Sequence, residues 1–548
     1  MLGPSCGVSR TTNSWSASGG LFLFAVVSVW GSVVSAPRVY AEPVGGGALA
    51  RAALDGSAPA GWFLPRPRGI ESWRSHAETV RSAFPGARWL ESLRPALSPS
   101  GAAAERLERV AAGHGVVVTT GQQPGLFGGP GYTWLKAISA LTLADRLERE
   151  MGIPTAPVFW AATDDADFDE ASFTNVTVGA KCQRISIERH GPEGLVMSQM
   201  PLGDVTAQLD ALINAAGSAP QSAVLDALRA AYHKDATVGG AYVQFLRAML
   251  EPLGVAVLDA WHPAVRAAAR STLVDALNRA SIIDEAVALR IVSIERAGFR
   301  AQVARVPKLS MVFRSTIGVK ERVPLTQAGD AALRDDLVLS ANVLLRPVVE
   351  RRLLPTVAYV GGPGEIAYFA QVGAVAEALG AAIPLIVPRW SATVIEPAVD
   401  RMLGRLGMVF EDVKAPHAAE RRIGERAMPA PMRDALESLK AGMELQMNAV
   451  AAAQAAKPLV TTEVVEGARA QLKHRIERLE RRIRAAATRG ETEAVRDLTA
   501  IRAALVPQGE RQERRLNFVP LLARHGDSLL AQLKAGAGLH AGTIIGSK

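Results

Sequence analysis

Short, nearly uninterrupted apolar runs alternate with segments of helical periodicity along most of this chain, and a heptad pattern replaces them near the C-terminus. Val116-Val117-Val118-Thr119-Thr120 is a β-branched run that meets a glycine- and proline-built turn, Gly121 to Gly131, before a helix-forming segment from Tyr132 to Glu150. That order predicts strand, loop and helix. Leu135, Ile138, Leu141, Leu143 and Leu147 make this helix apolar on more than one side, which predicts packing on a sheet. Gly152 and Pro154 end it. Pro157-Val158-Phe159-Trp160-Ala161-Ala162 then reads as a buried strand, completing a βαβ unit.

A polar, helical stretch at about 180–250 reads as an insertion. Gly254 to Asp259 regains strand character, with Trp261 and His262 beyond its end, and Phe299 to Val323 is a further β-like section. A second strand-turn-helix follows: Pro355 to Val360, then Gly361-Gly362-Pro363-Gly364, then Glu365 to Leu379, with a last strand from Ile383 to Val387. Gly-Gly-Pro-Gly thus occurs twice, at Gly128 and at Gly361, which predicts that both loops flank one sheet edge.

Beyond Pro431, Leu436, Leu439, Met443, Met447 and Val450 form one stripe. Leu472, Ile476, Leu479 and Ile483 form a second, and Leu498, Ile501 and Leu505 a third. These predict an antiparallel coiled-coil arm over 416–510, with Arg475, Arg478, Arg481, Arg482 and Arg484 on its solvated face. The expected organisation is an extension at 1–38, a core at 39–415, the arm, and a terminal helix and tail at 511–548.

Composition narrows this picture. At 548 residues the chain is long enough for about three or four structural units. With 49% hydrophobic and 21% charged residues it is globular, not disordered. The net charge of +8 is mild, aromatics are sparse at 5%, and no basic run is interleaved with stacking residues, so no nucleic-acid partner is expected. Cys6 and Cys182 form no C-x-x-C motif and the nine histidines are scattered, so neither a disulfide framework nor a metal site is expected. Leu21 to Ala36 is an apolar run shorter than a membrane span, so no membrane partner is expected. It reads either as a secretory h-region with Val39-Tyr40-Ala41 as the cleavage site, implying export, or as a non-native or upstream extension.

The chemistry gathers where strands end. Glycines admit close backbone approach and helix-start N–H groups favour anions, so Gly121, Gln122 and Gln123 form a candidate anion cradle or, alternatively, a plain turn. Lys136, one turn beyond Tyr132, is placed to reach an anion or to lie on the surface. Asp164, Asp165 and Asp167 follow the second strand and suit a substrate amine or a hydrated Mg²⁺; the alternative is a helix-capping turn. Glu365 and Tyr368 share a helix face after the second loop. Arg346 and Arg389 are candidate carboxylate forks, or members of structural ion pairs.

Several of these landmarks resemble one family, the bacillithiol biosynthesis cysteine-adding enzymes, ligases of the BshC type. The matching residues are Thr120-Gly121-Gln122-Gln123-Pro124-Gly125-Leu126 with Tyr132-Thr133, and Pro157-Val158-Phe159-Trp160 with its acidic tail. Leu345-Arg346-Pro347-Val348-Val349, Leu353 to Tyr368 and Pro507 to Arg514 also match, in the same order. The resemblance implies a Rossmann-like parallel sheet core with helical insertions, a C-terminal α-helical coiled coil that dimerises, and a cytoplasmic role. It implies condensation of the cysteine carboxyl with the amine of glucosaminyl-malate, the last step of bacillithiol synthesis. Amide formation requires an activated acyl group, so ATP or ADP with Mg is an expected though unassigned cofactor. Asp165 and Asp167 are then the candidate catalytic carboxylates, and Thr120, Tyr132, Thr133, Gly361 and Gly362 join the candidate substrate- or nucleotide-binding set.

The sequence departs from the family pattern in one motif. The family reads Glu-Asp-His-Asp-Phe where this chain has Asp164-Asp165-Ala166-Asp167-Phe168, and loss of an acid-base imidazole typically removes factors of hundreds in rate. Glu350 and Arg351 also stand where Gln and Asp are usual. His114 and His262 are candidate substitutes for the imidazole. A non-catalytic binding protein on the same fold, or another nucleotide-dependent transferase, are the alternative functions.

Overall fold

The computed structural model describes residues 36–84, 88–415 and 417–546. Most of the apolar run, Leu21 to Ser35, lies outside them. Val39, Tyr40 and Ala41, the cleavage site of the export reading, belong to a strand, Arg38–Glu42, that pairs antiparallel with Ser391–Ile395.

Five parallel strands form the central sheet: β1 (Val116–Gln122), β2 (Thr155–Ala161), β3 (Ala256–Asp259), β4 (Thr356–Gly361) and β5 (Ile386–Pro388). Their spatial order is β5-β4-β1-β2-β3. The chain winds outward through β1, β2 and β3, then crosses back and winds the other way through β4 and β5. β1 and β4 are therefore neighbours whose following segments leave in opposite directions, a topological switch point where α/β sheets open a crevice. The near-continuous apolar content of β1, β2 and β4 reflects burial on both faces.

Three helices flank that crevice: α1 (Gly131–Met151), α2 (Arg346–Leu353) and α3 (Pro363–Ala378). α1 is buried over most of its length, between the sheet and a long C-terminal helix (Val519–Ile545). The stretch expected to be a polar helical insertion begins with the second strand of a hairpin, Phe173–Val178 with Lys181–Ser186, and its helices are not polar throughout but bury Leu212, Leu228 and Phe245 in the largest core. A three-stranded antiparallel sheet (Leu309–Thr316, Val319–Pro324, Val338–Ala341) accounts for the β-like section.

The arm is a helical hairpin of α4 (Ala430–Ala456) and α5 (Thr462–Gly490). Only part of its heptad stripe is covered. Leu436 and Met447 are buried, whereas Leu439, Val450, Leu472 and Leu479 are exposed. The third stripe, on α6 (Thr492–Leu505), packs Leu498, Ile501 and Leu505 on Val399, Leu403 and Phe410 at the base of the arm. Arg475, Arg478, Arg481 and Arg482 are solvated as expected, but Arg484 is half-buried between Glu480 and Glu425.

Candidate functional site

A cavity of about 840 Å³ opens at the switch point, large enough for a two-part ligand. Its floor begins at the end of β1. Gly121 faces Trp160 in register, and a Cβ there would lie 2.7 Å from the Trp160 carbonyl oxygen, so only glycine lets the two strands run on side by side. Lys136 of α1 is 3% exposed. Its ammonium donates to the Gly121 carbonyl (2.7 Å) and to Gln122 Oε1 (3.0 Å), and meets Glu365 Oε2 at 2.5 Å.

Glu365 is the third residue of α3 and reaches back to accept the Gly362 N–H at 2.7 Å, the capping geometry that a carboxylate at that position favours. The Tyr359 hydroxyl donates to its other oxygen at 2.6 Å. Burial acts against charge on both members of the pair. In Glu365 it is outweighed by Lys136, the Gly362 N–H and the Tyr359 hydroxyl, and the carboxyl stays below its ordinary range. In Lys136 burial outweighs Glu365, and the ammonium loses its proton more readily than a free lysine. The short contact and the hydrogen bonds on each side describe an ionised pair at neutral pH.

Arg346 extends this network from α2. It donates to Glu350 one turn on (2.7 Å) and to the Tyr359 hydroxyl (3.2 Å), and Glu350 also accepts from Thr119. Burial pushes the Glu350 carboxyl up, against the pull of Arg346. Arg389, just past β5, forks onto both oxygens of Glu513 at 2.6 and 3.0 Å, both side chains being buried. Its guanidinium lies 5.9 Å from the Tyr132 ring centre.

The opposite wall is acidic. Asp164, Asp165, Ala166 and Glu170 line the cavity beyond β2. Burial pushes the Asp165 carboxyl up, the Asp167 N–H bonded to it at 2.9 Å opposing and the Asp164 charge adding. Partial desolvation at the cavity wall, with the Asp167 and Asp165 charges adding, also raises the Glu170 carboxyl, although that side chain is exposed. The Asp164 carbonyl accepts from Lys320 at 2.7 Å, with the Asp164 carboxylate 3.4 Å from the same ammonium. Lys320, Arg322 and Phe313 come from the three-stranded sheet, which forms a further wall. Alternation along Val319–Pro324 puts Lys320 and Arg322 on one face, the sequence signal that would have found them.

Of the sequence-predicted residues, Gly121, Gln122, Gln123, Tyr132, Lys136, Asp164, Asp165, Arg346, Gly362, Glu365, Tyr368 and Arg389 line this one cavity. Four do not. Thr120 is buried and its hydroxyl donates to the Val360 carbonyl, tying β1 to β4. Thr133 is buried in α1, its hydroxyl beside Gly129. Asp167 caps the short helix Phe168–Ala171 by accepting the Glu170 N–H at 3.0 Å. Gly361 leaves room for Ile386, whose Cδ1 would be 2.8 Å from a Cβ there. The two Gly-Gly-Pro-Gly loops also differ. The second lines the cavity, whereas the first packs under the C-terminal segment: a Cβ on Gly131 would fall 2.2 Å from Phe518.

Neither candidate histidine reaches the cavity lining. His114 precedes β1 and so sits at the other edge of the sheet, and His262 accepts the Ala264 N–H through Nδ1, capping the helix that follows β3. Ala166 lines the cavity with a methyl group. Among the described residues, no group of three or more His, Cys, Asp or Glu side chains is arranged to hold a metal ion.

Fold and site together define a Rossmann-like α/β protein with a charged switch-point cavity and a coiled-coil arm. The chain belongs to the bacillithiol biosynthesis BshC family: residues 66–390 match its N-terminal Rossmann-like domain and residues 392–540 its C-terminal coiled-coil domain. Curated relatives carry the name "Putative cysteine ligase BshC". The one from Solibacter usitatus is 30% identical over 450 residues, covering 78% of this chain and 83% of the relative. That from Koribacter versatilis is 31% identical over 476 residues, covering 82% and 87%. That from Symbiobacterium thermophilum is 28% identical over 484 residues, covering 81% and 86%.

Proposed function

We propose that this protein is a cysteine ligase of bacillithiol biosynthesis that joins the cysteine carboxyl to the amine of glucosaminyl-malate. The observation that carries the reading is the two-sided cavity, in which a carboxylate of raised basicity, Asp165, shares one space with the buried cations Lys136 and Arg389 and the half-buried Arg346. An ammonium has to lose a proton before it attacks an acyl carbon, and Asp165 is the group suited to accept it. The cations are fixed by their acid partners before substrate arrives, so they stabilise oxyanion charge without reorganising. Lys136, held by the end of β1 and the start of α3, is the residue assigned to the developing negative charge.

A cysteine carboxylate is not itself an acylating agent, and ATP with Mg²⁺ is the activating system this reading expects. The half-exposed heptad stripe of the arm supports a homodimer, and among the described residues no helix is long and apolar enough to cross a membrane; the ligase reading carries with it a cytoplasmic location. Ala166 favours a second reading, a protein that binds these substrates without turning them over. Incubating the protein with cysteine and glucosaminyl-malate, with and without ATP and Mg²⁺, and following the condensed thiol by mass spectrometry separates the two. Product above the enzyme-free control supports the ligase. Binding of the sugar acid by calorimetry with no product in any lane supports the second reading.

A further inference from the structure

The cations of the cavity are unequal. Lys136 is paired with Glu365, Arg346 with Glu350, Arg389 with Glu513, and Lys320 with Asp164. Arg514 acts on Glu170 only through space, with no carboxylate in contact among the described residues, and stands exposed, where water and salt screen it. Arg322 is the exception: half-buried, lining the cavity, and without a carboxylate in contact. Its Nε and Nη2 both donate to the Ser310 carbonyl, at 3.0 and 2.6 Å, and Nη2 also lies 3.8 Å from the Met311 sulfur. Its Nη1 donates to no acceptor among the described residues.

The acids around it are already engaged. Asp284, which acts on Arg322 through space, is forked by Arg305 at 2.9 and 2.7 Å, and the adjacent Glu321 is held by Arg314. A guanidinium fixed on one edge by a carbonyl, turned to a cavity and lacking a counter-ion is a prepared site for an oxyanion, because a charge taken partly out of water is stabilised by the partner that neutralises it.

We propose that Arg322 is the specificity-determining residue of this site, receiving through Nη1 an oxyanion of the substrate that is not consumed in the reaction. The chemistry fits a carboxylate carried by the acceptor or a phosphate carried by the activating donor. The inference rests on the ligase reading only for which molecule brings that oxyanion. It also gives the three-stranded sheet a function: this sheet supplies the cation that tells an acidic partner from a neutral one.

The test uses the full chain and two probes, L-malate and inorganic phosphate, titrated calorimetrically into wild type, Arg322→Gln, Arg322→Lys and Arg314→Gln. Malate binding that weakens about tenfold or more in Arg322→Gln assigns the residue to a carboxylate, and the same loss for phosphate assigns it to the donor. Arg322→Lys should retain part of the affinity. Arg314→Gln, on the same sheet but outside the cavity, should stay within about twofold of wild type. As a measurement on unaltered protein, saturating malate or phosphate should protect Arg322 from phenylglyoxal, mapped by mass spectrometry. The inference is overturned if wild type binds neither probe, if Arg322→Gln binds both as wild type does, or if neither probe protects Arg322. Arg322-dependent anion binding without cysteine ligation would sink the ligase reading and leave this one standing. Ligation with an unchanged KM for the acceptor and the donor in Arg322→Gln would do the reverse.

Discussion

Replacing Lys136 by methionine would leave Glu365, whose side chain is only 17% exposed, with two of its three contacts, the Gly362 N–H and the Tyr359 hydroxyl. Stranding one member of a buried pair typically destabilises by ~3–5 kcal/mol. The carboxyl has an escape, since it can take up a proton, which for a group of pKa roughly 4.3 costs roughly 3.7 kcal/mol at pH 7. That sets a ceiling, and the expected loss is therefore about 3–4 kcal/mol at pH 7. The pH dependence carries the sharper signature. In wild type the Glu365 carboxyl lies below its ordinary range, so its contribution is intact above that range and is lost only as pH falls through the folded value. In Lys136→Met the folded-state value is raised instead, so the variant gains stability as pH falls toward the unfolded value. Between pH 7 and pH 5 the gap between the two proteins should shrink by about 2.7 kcal/mol. Urea unfolding followed by tryptophan fluorescence at both pH values measures it. A gap under about 1 kcal/mol at pH 7, or one that does not narrow at pH 5, would refute the claim of a desolvated ion pair. The double variant Lys136→Met/Glu365→Gln should recover most of the loss, because glutamine removes the stranded charge and keeps an acceptor for Gly362.

Three further outcomes are expected. Asp165→Asn should lower kcat by ~10²–10⁴-fold with little change in acceptor binding, and the wild-type pH–rate profile should lose activity toward acid at a pH above the ordinary aspartate range, since burial raises this base. Gly131→Ala should destabilise by about 1–3 kcal/mol in thermal unfolding, because the added methyl meets the fully buried Phe518 ring. Leu472→Glu with Leu479→Glu should convert a dimer to a monomer in sedimentation velocity while leaving the unfolding temperature of the single chain nearly unchanged, both side chains being exposed within one chain.

What could be read in the sequence was local. The strand-loop-helix at Val116, its counterpart at Pro355 and the heptads all lie in patterns a few residues long; the two strand-loop-helix units and the first two heptad stripes formed the elements expected, whereas the third stripe packs at the base of the arm. Asp165 and Asp167 show where such reading divides. Asp167-Phe168-Asp169-Glu170 has the spacing of a helix cap, which separates Asp167 from its neighbour on physical grounds. His114 could also have been placed correctly, since a residue before a strand belongs to the opposite edge from the loop after it. The rest was not local. Arg389 is neutralised by Glu513 and Asp164 by Lys320, pairs separated by 124 and 156 residues, and no periodicity records such meetings.

The contribution of the C-terminal segment to the cavity wall and the core bears on how the protein is made. Arg389 finds its counter-ion 124 residues later, and Asn517 ties the first glycine loop to the hairpin through Phe127 and Thr174. At a synthesis rate of roughly 5–20 residues per second, a ribosome needs about 6–25 s to go from Arg389 to Glu513. Until Glu513 and the last helix have been made, Arg389 lacks its counter-ion and α1 lacks the helix that packs on it. The largest core, to which Phe518, Val519 and Leu522 belong, is therefore completed only by the last part of the chain to be synthesised.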